Sequence, residues 1–282
     1  MPHKNEEAGK QTVKIAFQGE KGAYSESAVY KFFGESVEVK PCRDLAEAFE
    51  SVDKQETQFG VVPVENSLEG SVNQTYDLFL KYDLKVCGEV IIRVSHCLVA
   101  NIETTLKQVK TIYSHPQALA QCRNFLERSG WELIPTYDTA GSAKMLKEKA
   151  LKDAAAIASE KAAELYGLKI LAREIEDTPN NYTRFFVLSK DDSPKTGNDK
   201  TSIIFAAAHK PGSLYQALGE FAKRGISLTK IESRPTKQTP WEYNFYLDFE
   251  GHRSEPRCIE ALEALKEYSA FIKILGSYPK AA

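Results

Sequence analysis

The segment Asn180–Lys190, NNYTRFFVLSK, joins a polar turn to a run of four apolar residues that predicts a buried strand. A Thr-Arg pair, Thr183 and Arg184, stands at the entrance of that strand. An arginine can hold a carboxylate through two parallel hydrogen bonds, and a threonine hydroxyl can donate one bond to a reacting oxygen. Taken alone, the segment is equally compatible with a ligand site and with a surface arginine at an ordinary strand entrance.

The length and composition describe an ordinary globular protein with more than one structural unit. The chain has 282 residues, 27% of them charged, and a formal net charge of -2, which gives no bias toward nucleic acid. No apolar stretch approaches the roughly 20 residues of a membrane helix, so we expect a cytoplasmic protein without membrane contact. The five cysteines are scattered and odd in number, which favours buried thiols over a disulfide framework or a zinc site.

Upstream of Lys190 the sequence alternates short apolar runs with amphipathic stretches, a rhythm that predicts βαβ units around mainly parallel sheets. A strand-rich passage without a helix, LKVCGEVIIRVSHCLVA, separates two such sets. We predict two α/β lobes, lobe one over about residues 13–95 plus 180–190 and lobe two over about 100–175. If the opening strand returns to lobe one, two chain segments cross between the lobes, and the cleft between them is the expected ligand site.

The C-terminal third of the chain has a different pattern. Residues 191–200 are polar and rich in turn formers, which predicts a linker. Residues 201–282 then show strand, helix, two strands, helix and strand, the βαββαβ order of ferredoxin-like domains. Such a sheet has two helices on one face and leaves its other face and its edges free, so we expect it to pair with a second copy.

Polar residues follow one predicted strand at the edge where open α/β sheets bind ligands. Glu65, Asn66 and Ser67 come after the strand Val61–Val64 and before a helix predicted from about Gly70. Either these side chains face a ligand together with the first amides of the helix, or Asn66 or Ser67 caps that helix.

A second polar group follows the predicted strand Lys110–Tyr113. Ser114 is the predicted N-cap of a helix that has Pro116 near its start, a place that can bind a carboxylate. Gln121 lies about two turns further on the same face, where it either reaches a cleft or is solvated. His115, beside a proline, is expected to be a turn residue rather than a proton shuttle.

The motifs, in their order, resemble those of prephenate dehydratase followed by a C-terminal ACT regulatory domain. They are GEKGAYSESA, PVENSLEGSV, YSHPQALAQC, DTAGSA, AAIASEKAAELYGL, NYTRFFVL, KPGSLYQAL and IESRP. The first motif departs slightly from the family pattern, with Glu20 and Ala23 where Pro and Thr are common, and Ser213 stands where the family usually has Ala. The likeness extends from about residue 13 to 278.

The resemblance implies a catalytic region over residues 1–190 with two lobes like those of periplasmic binding proteins, and an ACT domain over 201–282. It implies conversion of prephenate to phenylpyruvate, water and carbon dioxide in phenylalanine biosynthesis, without a metal or an organic cofactor, in a homodimer or homotetramer. Arogenate dehydratase, whose substrate has an amino group in place of the keto oxygen, is the first alternative. A two-lobed sensor without turnover is the second.

The resemblance also carries functional residues onto this sequence. The catalytic candidates are Thr183, Glu65, Asn66 and Gln121, the substrate-binding candidates are Ser67 and Ser114, and the candidates for binding allosteric phenylalanine are Gly212, Ser213, Leu214, Glu232, Ser233 and Arg234. A threonine hydroxyl is too weak an acid to be a free source of protons, so Thr183 would hydrogen-bond to the departing hydroxyl. Glu65 would resupply the proton or orient other side chains. Arg184 is a further substrate-binding candidate, with a structural role as the alternative.

Overall fold

The computed structural model describes residues 12–127, 129–236 and 241–281. The chain divides into two units. The first consists of the chain up to Val61 together with Ser95–Pro179, and the second of Val62–Val94 together with the chain from Asn180 onward.

The strands and helices follow the predicted alternation along the chain. The strands are β1 (Lys14–Gln18), β2 (Glu38–Cys42), β3 (Phe59–Asn66), β4 (Gly70–Ser71), β5 (Lys85–Arg93), β6 (Cys97–Ala100), β7 (Thr111–Ser114), β8 (Glu132–Pro135), β9 (Ala154–Ala158), β10 (Lys169–Ala172), β11 (Tyr182–Ser189), β12 (Asp199–Ala207), β13 (Leu228–Pro235), β14 (Tyr243–Glu250) and β15 (Ser269–Pro279). The α-helices are α1 (Tyr24–Phe33), α2 (Leu45–Asp53), α3 (Asn73–Lys81), α4 (Pro116–Gln121), α5 (Arg123–Leu126), α6 (Thr139–Glu148), α7 (Glu160–Leu165), α8 (Ser213–Ala222) and α9 (Pro256–Leu265). The predicted linker ends earlier than expected, because β12 begins at Asp199, and the helix predicted from Gly70 begins at Asn73.

The first unit contains a five-stranded sheet of order β10-β6-β9-β7-β8, in which β7 runs parallel to both β8 and β9. All five residues of β9 are buried. In a separate sheet, β1 pairs in parallel with β2 and with the first residues of β3. The turn before α1 touches α7 at Gly22, where a Cβ would lie 2.8 Å from the Cα of Ala162. Glycine is therefore required at this contact.

The strand predicted from FFVL is β11, and it lies between β3 and β5. It pairs antiparallel with β5, and Thr183 stands opposite Ile92. Phe185–Ser189 are buried, as a central strand requires. The chain after Pro179 thus returns to strands that precede it by some hundred residues in the sequence, as Phe186 pairs with Glu89.

Residues 199–236 and 241–281 form the predicted βαββαβ domain. Its antiparallel sheet has the order β13-β14-β12-β15, and α8 and α9 cover one face. Phe205, Phe221, Phe249 and Leu265 belong to the core between the sheet and these helices. The predicted mixed α/β fold with a ferredoxin-like C-terminal domain is confirmed.

The other face of this C-terminal sheet is covered by the same chain. Tyr246 of β14 packs on Tyr76 of α3, with ring centroids 4.5 Å apart, and Tyr278 of β15 packs on Phe186 of β11 at 5.5 Å. The expectation that a second copy covers this face is therefore wrong. The edge strands β13 and β15 remain the predicted place for pairing with a second copy.

The five cysteines are free thiols. Cys42, Cys97, Cys122 and Cys258 are buried and Cys87 is half-buried, in line with their scattered spacing. No helix in the described ranges is long and apolar enough to cross a membrane.

Candidate active site and ligand cavity

Asn66 is the last residue of β3, and its carboxamide has a fixed orientation. Its oxygen accepts hydrogen bonds from the main-chain N–H groups of Leu68 and Glu69, at 3.0 and 3.1 Å. Because those N–H groups can only donate, the other end of the amide is the donor. Asn66 Nδ2 donates to Oδ1 of Asn181 at 2.7 Å and to Oγ1 of Thr183 at 3.0 Å.

The bond from Asn66 decides how the Thr183 hydroxyl can act. The Thr183 oxygen accepts a hydrogen bond from Asn66, so the Thr183 O–H group remains able to donate to another acceptor. Thr183 is half-buried in the first residues of β11. Asn66 also donates to the main-chain carbonyl of Tyr182 at 3.2 Å, which holds the strand entrance against β3. The geometry presents one neutral, oriented hydroxyl donor.

Ser67 fastens the turn before β11. Its hydroxyl donates to the carbonyl oxygen of Asn180 at 3.0 Å and accepts from the N–H of Tyr182 at 2.9 Å. Neither Asn66 nor Ser67 caps α3, whose N-cap is Val72, without a side-chain cap. The capping alternative is wrong, and the predicted contact of Ser67 with a substrate has to compete with these two main-chain bonds.

Glu65 lies on the opposite face of β3 from Asn66, because successive side chains of a strand alternate between faces. Its carboxylate lies 2.9 Å from Nζ of Lys230 and 3.7 Å from Nη1 of Arg184. Arg184 in turn alternates with Thr183 along β11. The predicted role of Glu65 as the proton source behind Thr183 is contradicted, since the two side chains lie on opposite faces of the sheet.

Arg184 is held by acidic residues of the protein itself. Its Nε and Nη1 donate to Glu89 and Asp248, both at 2.6 Å, and its Nη2 donates to the hydroxyl of Tyr278 at 2.9 Å. Burial alone would lower the pKa of Arg184, but Asp248, Tyr278 and Glu89 outweigh it and raise that pKa. Burial would raise the pKa of Glu89, yet Arg184 and the other donors hold it below its usual value. The predicted clamp on a substrate is contradicted, because all three guanidinium nitrogens are engaged.

Gln121 ends α4 in the first unit and meets a buried histidine. Its Oε1 lies 3.1 Å from Nε2 of His96, and Nδ1 of His96 lies 3.2 Å from the hydroxyl of Tyr24. That hydroxyl also donates to the carbonyl oxygen of Ser95 at 2.5 Å. Burial lowers the pKa of His96, and its ring lies between the hydroxyl of Tyr24 and the carboxamide of Gln121.

Ser114 is the last residue of β7 and does not cap α4. Its hydroxyl donates to the carbonyl oxygen of Ile157 at 2.8 Å, and the residue is 0% exposed. His115 is the N-cap instead, since its Nδ1 accepts from the N–H of Gln117 at 3.2 Å, and Pro116 is the first helical residue. The predicted cap is wrong, and the predicted contact of Ser114 with a substrate stays a prediction.

A cavity of about 700 Å³ opens beside the start of α8 in the C-terminal domain. Three predicted allosteric residues, Gly212, Ser213 and Leu214, line it together with aromatic side chains such as Phe245. Gly212 is the N-cap of α8 and has a φ of 84°, a conformation that favours glycine. The cavity therefore combines the start of a helix with apolar walls.

The other three predicted allosteric residues alternate along β13. Glu232 contacts the hydroxyl of Ser71, on the face turned away from α8 and α9, and Arg234 shares that face. Glu232 and Arg234 therefore do not face the cavity beside α8, and their predicted contact with phenylalanine stays a prediction. Ser233 is exposed on the opposite face and pairs in register with Phe245 beside the cavity.

Sequence reasoning missed several residues of these clusters. They include Tyr24, His96, Asn181 and Lys230. Asn181 lies in the motif NNYTR and Tyr24 in GAYSESA. Their position in these motifs could have marked both as candidate site residues. His96 and Lys230 carry no local signal, because their partners lie 25 and 165 residues away in the sequence.

The two clusters offer neutral hydrogen-bond donors and a carboxamide of fixed orientation. Neutral donors suit a reaction in which a bound carboxylate loses its charge, because a full positive charge would stabilise the ground state. No three His, Cys, Asp or Glu side chains are grouped for a metal ion within residues 12–127, 129–236 and 241–281.

The chain thus combines an α/β region that carries such donors with a ferredoxin-like domain that contains a cavity of ligand size. The prephenate dehydratase family model matches residues 15–193, and the ACT domain model matches residues 201–267. The chain belongs to the prephenate dehydratase family, which places it among the carbon–oxygen lyases, and it carries a C-terminal ACT domain.

Named relatives cover nearly the whole chain. It is 46% identical over 272 residues to the bifunctional chorismate mutase/prephenate dehydratase of Aquifex aeolicus, which covers 95% of this chain and 74% of that protein. It is 44% identical over 278 residues to arogenate dehydratase/prephenate dehydratase 2, chloroplastic, of Arabidopsis thaliana, covering 95% and 73%.

Solved structures agree with this assignment of the fold. The structure of prephenate dehydratase in complex with L-Phe from Arthrobacter aurescens matches with a TM-score of 0.87 and 34% identity, covering 95% of this chain and 90% of that one. A structure described as a novel type of quorum quenching acylase matches with a TM-score of 0.87 and 36% identity, covering 95% and 98%.

Proposed function

We propose that the enzyme converts prephenate to phenylpyruvate, with the Thr183 hydroxyl as the hydrogen-bond donor to the departing oxygen, and that phenylalanine inhibits it through the ACT domain. The observation that carries the catalytic part is the bond from Asn66 to Thr183, at 3.0 Å. Because the Asn66 amide is oriented by two main-chain N–H groups, it donates to Thr183, and this leaves the Thr183 O–H able to donate to a bound ligand.

The chemistry of prephenate needs little more than orientation. Its ring carries a hydroxyl opposite a carboxylate. When the C–C bond to the carboxylate breaks, its electron pair enters the ring, and the C–O electron pair leaves with the hydroxyl oxygen. Carbon dioxide departs, the ring becomes aromatic, and the oxygen takes up a proton from solvent to form water. A donor aimed at that oxygen lowers the barrier most where negative charge develops.

The ACT cavity supports phenylalanine as the effector. The first amides of α8 suit an amino acid carboxylate, and the walls contributed by Leu214 and Phe245 suit an apolar ring. Binding that favours one arrangement of the chain over another shifts the equilibrium between them, typically by about 1 to 3 kcal/mol. The proposal includes a cytoplasmic homo-oligomer, at least a dimer, as expected from the edges of the ACT sheet.

The unmodified chain is expected to form phenylpyruvate from prephenate with a higher kcat/KM than from arogenate, and phenylalanine is expected to lower the rate. Arogenate is the second candidate substrate, because one close relative is named for both activities. Turnover of each substrate, with and without phenylalanine, is the measurement. A higher kcat/KM for arogenate would make arogenate the substrate instead. Binding of prephenate without product formation would favour the alternative of a sensor without turnover.

Replacing Ser233 by alanine is expected to weaken inhibition by phenylalanine about 2- to 10-fold, the value of one hydrogen bond, with kcat unchanged. Ser233 is exposed beside the cavity and has no part in the Thr183 cluster. Inhibition curves for Ser233→Ala and for Ser227→Ala, an exposed serine just before the same strand, provide the comparison. Identical curves for the two variants and the parent chain would remove Ser233 from the effector site.

A further inference from the structure

Two pairs of sequence neighbours place one residue on each face of the sheet that contains β3 and β11. Asn66 and Thr183 meet on one face, with 3.0 Å between Nδ2 and Oγ1. Glu65 and Arg184 meet on the other face, with 3.7 Å between Oε2 and Nη1. Each charged residue is joined to its uncharged neighbour by one planar peptide unit. A displacement of Glu65 or Arg184 therefore moves the residue beside it.

Glu65 is held by a lysine of the ACT domain. Lys230 belongs to β13, and its side chain is 9% exposed. Its Nζ lies 2.9 Å from Oε1 of Glu65 and 2.8 Å from Oγ of Ser71, and it lies 5.8 Å from the ring centroid of Tyr76. A nearly buried ammonium depends on such partners, so the position of β13 determines the position of Glu65.

Arg184 is held by an aspartate of the ACT domain. Asp248 of β14 accepts from Nη1 of Arg184 at 2.6 Å through Oδ2, and from Ser202 of β12 at 2.5 Å through Oδ1. Tyr278 of β15 lies 2.9 Å from Nη2 of Arg184 and 2.6 Å from Oγ of Ser202. Three strands of the ACT sheet thus fix the guanidinium that follows Thr183 in the chain.

We propose that Lys230 and Asp248 are positioning residues of the dehydratase reaction, acting from the ACT domain through their charged partners on the Thr183 hydroxyl. This inference rests on the proposed function and deepens it, because it names the contacts through which the ACT domain reaches the reacting group. The donor must meet the departing oxygen within a narrow range of distance and direction. A misplacement of about 1 Å costs on the order of 100-fold in rate.

The first test replaces Lys230 by methionine, which keeps an unbranched chain and removes the ammonium. We expect kcat for prephenate to fall roughly 10- to 100-fold while KM stays within about threefold, because the reacting donor is displaced and substrate affinity is retained. Lys230→Arg should recover most of kcat, since a guanidinium can still pair with Glu65. Lys273→Met is the matched control: Lys273 of β15 donates to the carbonyl oxygen of Tyr82 at 2.9 Å, and we expect the parent kcat.

The second test approaches the same contact from Glu65. If Lys230 acts through Glu65, the double variant Glu65→Gln/Lys230→Met loses no more kcat than the larger of the two single losses. Losses that multiply would show independent roles and overturn the inference. Asp248→Asn is expected to lower kcat with the same small change in KM. A kcat within about twofold of the parent value in both Lys230→Met and Asp248→Asn would also overturn it.

Hydrogen exchange provides a readout that does not depend on turnover. Amides of residues 180–186 should exchange at least about threefold faster in Lys230→Met than in Lys273→Met, because the strand entrance loses its support. Equal exchange in the two variants overturns the inference. If the unmodified chain forms no phenylpyruvate, the proposed function fails and this inference fails with it. If the parent chain turns over prephenate and the variants have the same kcat as the parent, the inference fails and the proposed function stands.

Discussion

Replacing Thr183 by alanine is expected to lower kcat for prephenate by about 100- to 1,000-fold and to leave KM within about threefold. The substitution removes a hydroxyl whose oxygen accepts from Asn66 at 3.0 Å and whose O–H group, in the proposed mechanism, donates to the departing oxygen. A hydrogen bond that strengthens as the oxygen departs acts on kcat rather than on substrate affinity. Steady-state kinetics with detection of phenylpyruvate measures both parameters.

Thr183→Ser is the matched control for this substitution. A serine keeps the hydroxyl and the acceptor for Asn66, so we expect kcat within about tenfold of the parent value. Parent-like turnover by Thr183→Ala would exclude the hydroxyl from the mechanism. A higher KM with unchanged kcat would assign Thr183 to binding of the ground state instead.

Replacing Arg184 by methionine is expected to lower the free energy of unfolding by about 3 to 5 kcal/mol, the usual cost of removing one partner from a buried ion pair. Asp248, with a side chain 6% exposed, would lose its guanidinium partner. Glu89, 1% exposed, would keep Lys200 at 3.0 Å, so most of the loss comes from Asp248. Urea denaturation at neutral pH, followed by circular dichroism, measures this change.

Two further variants separate this effect from a general effect of losing an arginine. Arg43 has a side chain 88% exposed, and Arg43→Met should change the free energy of unfolding by less than about 1 kcal/mol. Adding Asp248→Asn to Arg184→Met should recover part of the loss, because a neutral amide does not need a cation. A raised KM without any loss of stability in Arg184→Met would support a substrate clamp and contradict the structural role.

The fold was largely predictable because hydrophobic periodicity is a local property. The apolar run after Arg184 predicts a buried strand, and β11 is one, with Phe185–Ser189 all buried. The βαββαβ order of the C-terminal domain also follows from local patterns. The packing of α3 on the second face of the C-terminal sheet could not be predicted. It brings Tyr76 and Tyr246 together from segments 170 positions apart in the sequence.

The site was less predictable, because the sequence pattern predicts that β3 and β7 end earlier than they do. The sequence suggested that β3 stops before Glu65, but it runs to Asn66. Inside a strand, neighbouring side chains point to opposite faces, so Glu65 and Asn66 cannot share one site. The same small error at Ser114 turned a buried strand residue into a predicted helix cap. An error of one or two residues in where a strand ends decides which face a side chain occupies. Local composition does not locate strand ends with that precision.

The ionic contacts of β3 and β11 with the ACT sheet limit how freely the ACT domain can be exchanged. A module transplanted from another enzyme would meet Arg184 and Glu65 with whatever its own strands carry. Without an acid at the position of Asp248 and a base at the position of Lys230, the chimaera would keep the topology. Arg184 and Glu65 would then lack partners of opposite charge in the ACT domain. We therefore expect the catalytic region and its ACT domain to be retained or replaced together.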